Sequence, residues 1–303
     1  MKTRILFFVL MLSGVVSHAQ QDAQFTQYMY NTININPAYA GSRGVMSIFG
    51  LHRTQWVGLD GAPTTNAASV HTPINNSNVG VGLSFINDKI GPTNENTISV
   101  DVSYTIKTSE SYKLSFGVKG SGNLFSLDAG MLNPQDPSDD HLQQVDSKFS
   151  PNVGAGVYYH GDKFYAGLSV PNFIKTTNYS DNDFSINQQE ITYYFITGYV
   201  FDVSPSLKFK PALLTKLIQG APLQVDVSGN FLIMDKFVIG AAYRWSAAVS
   251  GMVGFQVTDG LFLGYGYDLE TTELRNYNSG SHEFFLRYEL FNNFDRITTP
   301  RFF

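Results

Sequence analysis

The sequence predicts an all-β protein, a transmembrane antiparallel β-barrel of about 14 strands (12 to 16) that follows an N-terminal signal peptide. Three observations support this prediction. Apolar and polar residues alternate over runs close to the length that crosses a bilayer at a tilt. Charged residues are scarce and aromatic residues are abundant. The links between the runs fall into a short set and a long set.

The clearest alternation runs from Asn94 to Leu127. Apolar residues occupy every second position of its first half, with Ile98, Val100, Val102, Tyr104 and Ile106 opposed to Ser99, Asp101, Ser103 and Thr105. After a polar turn at 108–111 the alternation resumes, which indicates an antiparallel hairpin. The apolar face is either the core of a soluble two-sheet sandwich or the lipid-facing side of a membrane barrel whose polar face lines the lumen.

The first residues are typical of a secretory signal peptide. Lys2 and Arg4 precede a short apolar run, and small residues mark a cleavage site after Ala19. Asn-Pro and Ala-Gly pairs then break any regular strand before position 45. We therefore predict a signal peptide at 1–19, an irregular N-terminal segment at 20–44 that lies in the periplasm or plugs the barrel, an outer-membrane barrel at 45–291, and a C-terminal tail at 292–303.

The composition also favours a membrane barrel. Charged residues make up 15% and aromatic residues 14%, with 24 Phe, 17 Tyr and 27 Gly, which suits an outside that faces lipid. There is no cysteine, so we expect a fold closed by hydrogen bonds alone. No later apolar stretch has the length of a membrane helix, and strands must therefore make any crossing. The net charge of −5 gives no basic surface for nucleic acid.

The links between the predicted strands are of two kinds. Links after even-numbered strands are short, such as 108–111 and 161–162, whereas several links after odd-numbered strands are long, notably 128–150, 171–189 and 269–281. Transmembrane barrels show this asymmetry, with the long loops outside the cell. The predicted strands are 45–57, 65–72, 79–89, 95–107, 112–127, 151–159, 163–170, 190–201, 207–217, 223–231, 237–245, 247–257, 261–268 and 282–291.

The last predicted strand indicates which face is polar. Its apolar row is Phe284, Leu286, Tyr288 and Leu290, its charged row is Glu283, Arg287 and Glu289, and Phe285 is the exception. A charged row beside an apolar row fits a polar lumen inside a lipid-facing wall. We expect further inward charges that pair across the lumen, at Asp101, Lys208, Lys210, Lys216 and Asp226.

Acidic residues cluster in two of the long links, at Asp136, Asp139 and Asp140 and at Asp181 and Asp183. Carboxylate oxygens are the ligands that hard cations prefer, but both clusters lack the glycine and the final glutamate of a calcium-binding loop. Solvated acidic loops are the favoured interpretation. We predict no metal site and no cofactor.

The sequence does not favour an enzyme. Outer-membrane lipases pair a His with a Ser, and His71 lies close to Ser69 and Ser77 in the sequence, but nothing places a third, orienting group beside them. Trp56 and the tyrosines near strand ends are typical of the aromatic girdle at a membrane interface.

Two blocks of the sequence carry a family resemblance. The first and most specific is Asn36-Pro37-Ala38-Tyr39-Ala40-Gly41, and the second contains Arg53, Gln55 and Trp56 followed by Gly61 and Pro63. With the segments 79–92 and 151–172, these blocks resemble the PorP/SprF family, outer-membrane proteins of the type IX secretion system of Bacteroidota. The resemblance covers essentially the whole mature chain.

This resemblance implies an outer-membrane barrel of a Gram-negative bacterium that helps to export particular cargo proteins or to hold them at the cell surface; in some members the cargo is a gliding adhesin. It also implies contacts with periplasmic parts of the machine, including a peptidoglycan-binding lipoprotein. It supplies no catalytic residues, and the motif residues are expected to serve folding and docking. We place the cargo-facing rim on the long links, at Asp136, Asp139, Asp140, Asp181, Asp183 and Arg275.

Three alternatives stay open at this point. A barrel of about 14 strands has room for a channel or transporter for a small or hydrophobic solute. An enzyme would depend on Ser69 or His71. A soluble sandwich would bury the apolar face between two sheets.

Overall fold

A computed structural model describes residue 26 and residues 28–75, 77–131, 145–177, 180–181, 184–185 and 188–290. The predicted signal peptide, the C-terminal tail and the acidic residues at 136–140 lie outside these ranges. The described chain forms one closed antiparallel barrel of fourteen strands. The strands are β1 Met46–Thr54, β2 Thr64–Pro73, β3 Val79–Ile90, β4 Thr93–Lys107, β5 Tyr112–Leu127, β6 Val145–Gly161, β7 Phe164–Val170, β8 Thr192–Tyr199, β9 Leu207–Ile218, β10 Gln224–Ile233, β11 Phe237–Arg244, β12 Ala248–Gln256, β13 Leu261–Glu270 and β14 Ser281–Leu290.

The sheet closes because its first and last strands pair. β1 and β14 run antiparallel from the pair Met46 and Leu290 to the pair Thr54 and His282. Every other neighbour in the ring is the next strand in the chain, including β8 with β9. After Val200, Phe201–Ser204 continues the path of β8 and pairs with β9, with a register shift between Asp202 and Ser204. A closed ring leaves no unpaired sheet edge in lipid.

The outward face of the wall is apolar and the inward face is polar. On β4, Val100 is 53% exposed and the adjacent Asp101 is 0% exposed. On β5, Val118 is 60% exposed and Lys119 is 5% exposed. This is the reverse of a soluble sheet, whose apolar face is buried. The sandwich alternative is therefore wrong, and the prediction of a lipid-facing barrel is confirmed.

The two rims of the barrel differ in their links. The links after even-numbered strands are 74–78, 108–111, 162–163, 205–206, 234–236 and 257–260, and they make up the short-link rim. The links after odd-numbered strands are 55–63, 91–92, 128–144, 171–191, 219–223, 245–247 and 271–280, and they make up the long-link rim. Three links on the long-link rim are as short as those opposite, so the predicted asymmetry rests on the remaining four.

Short elements complete the fold. A turn of 3₁₀ helix at Tyr28–Tyr30, an α-helix at Thr32–Ile35 and a second 3₁₀ turn at Pro37–Tyr39 precede β1. Further 3₁₀ turns lie at Ala129–Met131 and Glu273–Asn276, and two-residue ladders join Thr176–Thr177 to Gln188–Gln189 and Ser180–Asp181 to Phe184–Ser185. None of the helices in the described ranges has the length and apolar character needed to cross a membrane.

The predicted strand bounds are close to the observed ones except at β6. This strand begins at Val145, whereas the sequence predicts a start at Pro151. A proline at the apparent start of a run suggests a strand boundary, because proline has no N–H to donate. Here the alternation continues through the proline, since Phe149 points outward and Ser150 points inward. Pro151 lies opposite Gly122 of β5.

The outward face gives a direct test of lipid contact. We predict that Val118→Arg lowers the free energy of unfolding from lipid vesicles by about 2 to 4 kcal/mol, because a guanidinium then lies among acyl chains. Ser109→Arg, in the exposed turn 108–111, is the control and should cost no more than about 1 kcal/mol. Denaturant titration followed by intrinsic fluorescence measures both. Equal losses would mean that this face of β5 does not meet lipid.

Candidate functional site

The lumen of the barrel is filled by the segment that precedes β1. Residues 28–44 are called the plug from this point, and every residue from Tyr28 to Ala40 is buried. Inward side chains from well-separated parts of the wall reach it, such as Ser103 of β4 and Asn230 of β10. The plug therefore lies inside the barrel rather than across one mouth.

The middle of the plug is shaped by an Asn-Pro pair. Asn36 caps the 3₁₀ turn Pro37–Tyr39, because its side-chain Oδ1 accepts a hydrogen bond from the backbone N–H of Ala38 at 3.0 Å. Pro37 fits the first position of that turn, where an N–H has no partner within the turn. The Nδ2 of Asn36 also donates to the backbone carbonyl of Val157 at 3.1 Å. One side chain thus caps the turn and fastens it to β6.

Two inward glycines of the wall make room for this turn. A Cβ built on Gly117 of β5 would lie 2.2 Å from the backbone nitrogen of Ala38. A Cβ on Gly156 of β6 would lie 2.2 Å from Oδ1 of Asn36. Both distances are far below van der Waals contact, so the plug packs directly on the wall backbone at these positions. Any larger residue would displace it.

Polar side chains of the wall bind the backbone of the plug. Nζ of Lys119 donates to the carbonyls of Ile33 and Asn34 at 3.2 and 3.0 Å. Oγ of Ser169 donates to the carbonyl of Ile35 at 2.7 Å. Oγ of Ser103 donates to the carbonyl of Ala40, also at 2.7 Å. These bonds give partners to buried carbonyls that the short helices of the plug cannot satisfy.

A buried ionic cluster holds the chain near the long-link rim. The guanidinium of Arg53 lies 2.7 Å from a carboxylate oxygen of Asp268 and 3.1 Å from one of Glu283. Thr26 joins this cluster, because its backbone N–H donates to Glu283 at 2.9 Å and its hydroxyl donates to Asp268 at 2.6 Å. Arg53 and Glu283 are direct neighbours across β1 and β14.

A second ionic cluster lies at the opposite end of the lumen. Arg43, near the end of the plug, contacts Glu289 of β14 at 2.5 Å. Arg287 lies 3.6 Å from the same carboxylate. Thr26 and Arg43 are therefore fixed near opposite rims, and the chain between them descends the lumen from the long-link rim to the short-link rim.

Aromatic rings fill the space between the two clusters. The ring of Tyr30 stacks on Phe262 at 5.3 Å and packs on Phe285 at 4.5 Å between centroids. Nζ of Lys210 and the guanidinium carbon of Arg287 each lie 5.8 Å from the centre of the Tyr30 ring. This contact explains the exception in the last strand, because Phe285 faces an aromatic plug rather than water.

A cleft of about 500 Å³ opens below the plug at the short-link rim. Its walls include the end of the plug and the links 74–78, 108–111 and 162–163. Lys107 and Lys113 lie opposite each other on β4 and β5, and both line the cleft together with His160 of β6. Two lysines placed directly opposite each other repel. Glu110 and Asp162 also line the cleft, so it is a polar pocket that contains groups of both charges.

The structure divides the family-motif residues between two places. Asn36, Pro37, Ala38, Tyr39 and Gly41 form the plug, and Arg53 lies in the lumen beside it. Gln55, Trp56, Gly61 and Pro63 lie in link 55–63 on the long-link rim. There Gln55 donates its N–H to the carbonyl of Pro63, and the carbonyl of Gly61 accepts from Gly91 of the next link. Trp56 donates its indole N–H to Glu270 at 3.0 Å.

Few of the predicted cargo-facing residues can be compared with the structure. Asp136, Asp139, Asp140 and Asp183 lie outside the described residues. Asp181 belongs to a two-residue ladder in link 171–191. Arg275 lies exposed in the 3₁₀ turn of link 271–280. Both positions are on the long-link rim, and their role stays a prediction.

Ser69 and His71, the residues of the enzyme alternative, both contact the plug. Oγ of Ser69 donates to Oδ1 of Asn31 at 3.0 Å, and Nδ1 of His71 accepts from the backbone N–H of Gly41 at 3.1 Å. The ring of Tyr39 also packs edge-on against His71. Among the described residues, no group of three or more His, Asp or Glu is arranged to hold a metal ion.

The inward charges pair with neighbouring strands rather than across the lumen. Asp101 lies 3.5 Å from Lys119 on the adjacent strand, and Asp226 lies 3.1 Å from Arg244 on the adjacent strand. The predicted cross-lumen pairing is wrong for these two residues, because the plug occupies the centre. Lys208 pairs with Asp235 at the short-link rim. Lys216 is buried, with Nζ 6.0 Å from the ring centre of Tyr194.

Solved structures with a similar fold are outer-membrane barrels. The CymD monoaromatic hydrocarbon channel matches with a TM-score of 0.51 and 11% identity, covering 91% of this chain and 95% of that one. The Acinetobacter baumannii outer membrane protein Omp33 has a TM-score of 0.49 and 9% identity, covering 81% and 98%. The Ralstonia pickettii toluene transporter TbuX has a TM-score of 0.49 and 9% identity, covering 84% and 91%. At these identities the likeness concerns the fold alone.

The sequence itself matches one family profile. That profile, described as Type IX secretion system membrane protein PorP/SprF, matches residues 17–288. The matched range contains the plug and all but the last two residues of the described barrel. A comparison with curated proteins finds no match.

The glycine contacts of the plug lead to a prediction about the lumen. Gly117→Val should displace the plug from β5, because the new side chain would occupy the position of the Ala38 backbone. We expect steady ion conductance in planar bilayers where the parent barrel is silent. Gly120→Val on the same strand, where a Cβ meets nothing within 4 Å, is the control and should stay silent. Conductance in the parent barrel would contradict the closed lumen.

The cluster at Arg53 leads to a prediction about stability. Arg53→Met leaves Asp268 and Glu283 buried without their cation, which should cost about 3 to 5 kcal/mol of unfolding free energy. The matched control is Lys163→Met, which breaks the exposed pair with Asp202 and should cost much less. Adding Asp268→Asn and Glu283→Gln to Arg53→Met should recover part of the loss. A loss no larger than that of the control would contradict the role of the cluster.

Proposed function

Because this chain belongs to the PorP/SprF family of type IX secretion system membrane proteins, we propose that it supports the export or the surface anchoring of specific, adhesin-like cargo proteins. In this proposal the barrel performs no chemistry. It lies in the outer membrane, contacts cargo at one rim and docks to periplasmic parts of the machine at the other, including a peptidoglycan-binding lipoprotein.

The observation that carries this proposal is the filled lumen. The barrel's own chain occupies the space that a solute would need, and wall donors such as Lys119 and Ser169 bind that chain on several sides. A barrel closed in this way is suited to present two rims at fixed positions in the membrane. The family is one of secretion-system membrane proteins. The two rims of such a barrel are the surfaces that its partners can reach.

The long-link rim is the side that we assign to cargo. Links 128–144, 171–191 and 271–280 belong to it, and long loops of transmembrane barrels lie outside the cell. By sequence, the first two of these links carry the acidic residues Asp136, Asp139, Asp140, Asp181 and Asp183, and the third carries Arg275. Loops of this kind bind partners through charge complementarity and adaptable backbone contacts. A cargo terminus with basic residues would complement them.

The short-link rim is the side that we assign to docking in the periplasm. The cleft below the plug opens on this rim, and Lys107, Lys113 and His160 line it together with Glu110 and Asp162. A partner segment with carboxylates would relieve the repulsion between the two lysines. The tight links on this rim give a partner a rigid surface, which keeps the entropy cost of docking low.

Two other functions fit these observations less well. A channel for a small or hydrophobic solute needs a path that the plug obstructs, and the conductance experiment above separates the two proposals. An enzyme would need Ser69 and His71 to be available, whereas both hold the plug through hydrogen bonds to Asn31 and Gly41.

The long links give the test of the cargo role. Replacing Asp136, Asp139 and Asp140 by asparagine removes three charges from link 128–144 without shortening it. We expect surface-retained cargo, measured by immunoblotting after mild surface proteolysis, to fall about tenfold, since each lost charge contact weakens binding modestly. Asp259→Asn, an exposed position in link 257–260 on the short-link rim and outside the cleft, removes one charge by the same substitution; as the control it should leave retention unchanged.

Folding of each variant must be checked in the same cells. The heat-dependent shift of the barrel on gels reports insertion independently of cargo. Normal retention by a variant that lacks residues 132–144 would refute the cargo assignment of link 128–144, whereas loss of the folded band would only report misfolding.

A further inference from the structure

A row of polar side chains faces outward across four adjacent strands, close to the long-link rim. His52 of β1 lies opposite Asn66 of β2, Asn66 lies opposite Asn87 of β3, and Asn87 lies opposite Asn96 of β4. Asn94 lies two residues further along β4. These five residues are called the amide row. Their neighbours Arg53 and Thr65 point into the lumen and are buried, so the amide row points away from it.

The amide row is a continuous chain of side-chain hydrogen bonds. Nδ1 of His52 lies 2.8 Å from Oδ1 of Asn66, and Nδ2 of Asn66 donates to Oδ1 of Asn87 at 3.3 Å. Nδ2 of Asn87 then donates to Oδ1 of Asn94 at 2.7 Å and to Oδ1 of Asn96 at 3.0 Å. These bonds order the amides on the outer surface of the wall. Ordered polar groups lose little entropy when they bind a ligand.

The wall becomes apolar one outward position below the amide row. The next outward residues toward the short-link rim are Gly50, Ala68, Phe85 and Ile98 on the four strands. Phe85 is 40% exposed and Ile98 is 51% exposed, and apolar side chains continue below them. The polar and apolar zones therefore meet along a sharp line, and the apolar zone is part of the face that contacts lipid.

The amide row keeps hydrogen-bonding capacity for a ligand. Asn94 and Asn96 each accept a hydrogen bond through Oδ1. In the part of the chain that the structure describes, their Nδ2 groups donate to no side chain or carbonyl, and each Nδ2 carries two N–H donors. Lys89 lies exposed on the outward face of β3, in register with Thr64 and Asn94. It adds one cation above the amides. The amide row thus offers groups that bind hydroxyls, and Lys89 offers one cation that can bind an anion.

We propose that the amide row and Lys89 bind the head group of an outer-leaflet glycolipid whose acyl chains lie on the apolar zone below. A molecule that contacts both zones must have a polar head and apolar tails. Sugar hydroxyls donate and accept hydrogen bonds, as Asn side chains do, and a phosphate on the sugar would pair with Lys89. Long loops of transmembrane barrels lie outside the cell, which puts the long-link rim at the outer leaflet, where Gram-negative bacteria carry phosphorylated glycolipids.

Continuity with the lipid-facing wall is the reason to assign this surface to a lipid rather than to a protein. The amide row and the apolar zone lie on the same four strands, so any ligand of the row is next to acyl chains. A soluble protein could cover the amide row, but the apolar zone below it would remain in contact with lipid. This inference does not depend on the proposed role in secretion.

The test uses the full-length mature barrel purified from outer membranes in mild detergent. Mass spectrometry of the extracted lipid gives the moles of lipid A-type glycolipid per mole of folded protein. The triple variant Asn66→Ala, Asn87→Ala and Asn96→Ala should carry about tenfold less glycolipid than the parent, because three ordered amides are lost. Thr215→Ala, which faces outward on β9 away from the row, is the control and should carry the parental amount.

A second arm takes its main result from the parent protein, so that this result does not depend on how a variant folds. The parent protein is reconstituted into phosphatidylethanolamine vesicles with or without purified lipid A, and its thermal unfolding midpoint should be higher with lipid A. Lys89→Gln should reduce this rise, and dephosphorylated lipid A should make the parent behave like Lys89→Gln. No rise in the parent, or equal glycolipid in the triple variant and the control, would overturn the proposal. So would a protein that copurifies with the parent and is lost from the triple variant while the glycolipid stays.

Discussion

The structure depends on the requirement that every backbone polar group in lipid be paired within the protein. The pairing of β1 with β14 meets it by closing the sheet. Closure then fixes the side chains, because each strand must turn alternate residues toward lipid and toward the lumen. The inward set includes buried charges such as Asp101, Lys119 and Lys210. Buried charges without partners cost several kcal/mol each, on the order of 3 to 5 when one partner is removed, so a barrel of this kind cannot have an arbitrary interior.

The plug supplies some of the hydrogen-bond partners that the buried polar side chains of the lumen require. Lys119 is within reach of Asp101 on the next strand, and it also donates to two carbonyls of the plug. The plug in turn has buried carbonyls that need donors from the wall. Its Asn-Pro-Ala sequence fits only where the wall has no side chain, as at Gly117 and Gly156. Wall and plug are therefore interdependent, and the N-terminal motif is part of the core of the barrel rather than an attachment to it.

The strands were predictable because alternation is a local property, and lipid outside with polar groups inside makes it regular over many residues. The position of the plug was not predictable in detail. Its partners lie far away in sequence, so no local pattern connects Ile33 with Lys119 or Ile35 with Ser169. Arg53 stood out only as a motif residue of unknown role. The one break in the alternation of β14, Phe285, was in retrospect the local sign that an aromatic side chain fills the lumen at that level.

Any mechanism in which the barrel opens must supply the free energy needed to displace the plug from the lumen. Five hydrogen bonds hold the backbone of the plug: Lys119, Ser169 and Ser103 donate four of them to its carbonyls, and His71 accepts the fifth from the N–H of Gly41. At about 1 kcal/mol each they contribute roughly 5 kcal/mol, before any packing is counted. Fewer than about one barrel in a thousand would then be open, and a ligand would need a preference of several thousand-fold for the open form to reverse this. Binding at rims that are already formed needs no such preference, which makes a stationary scaffold the simpler physical account of this barrel.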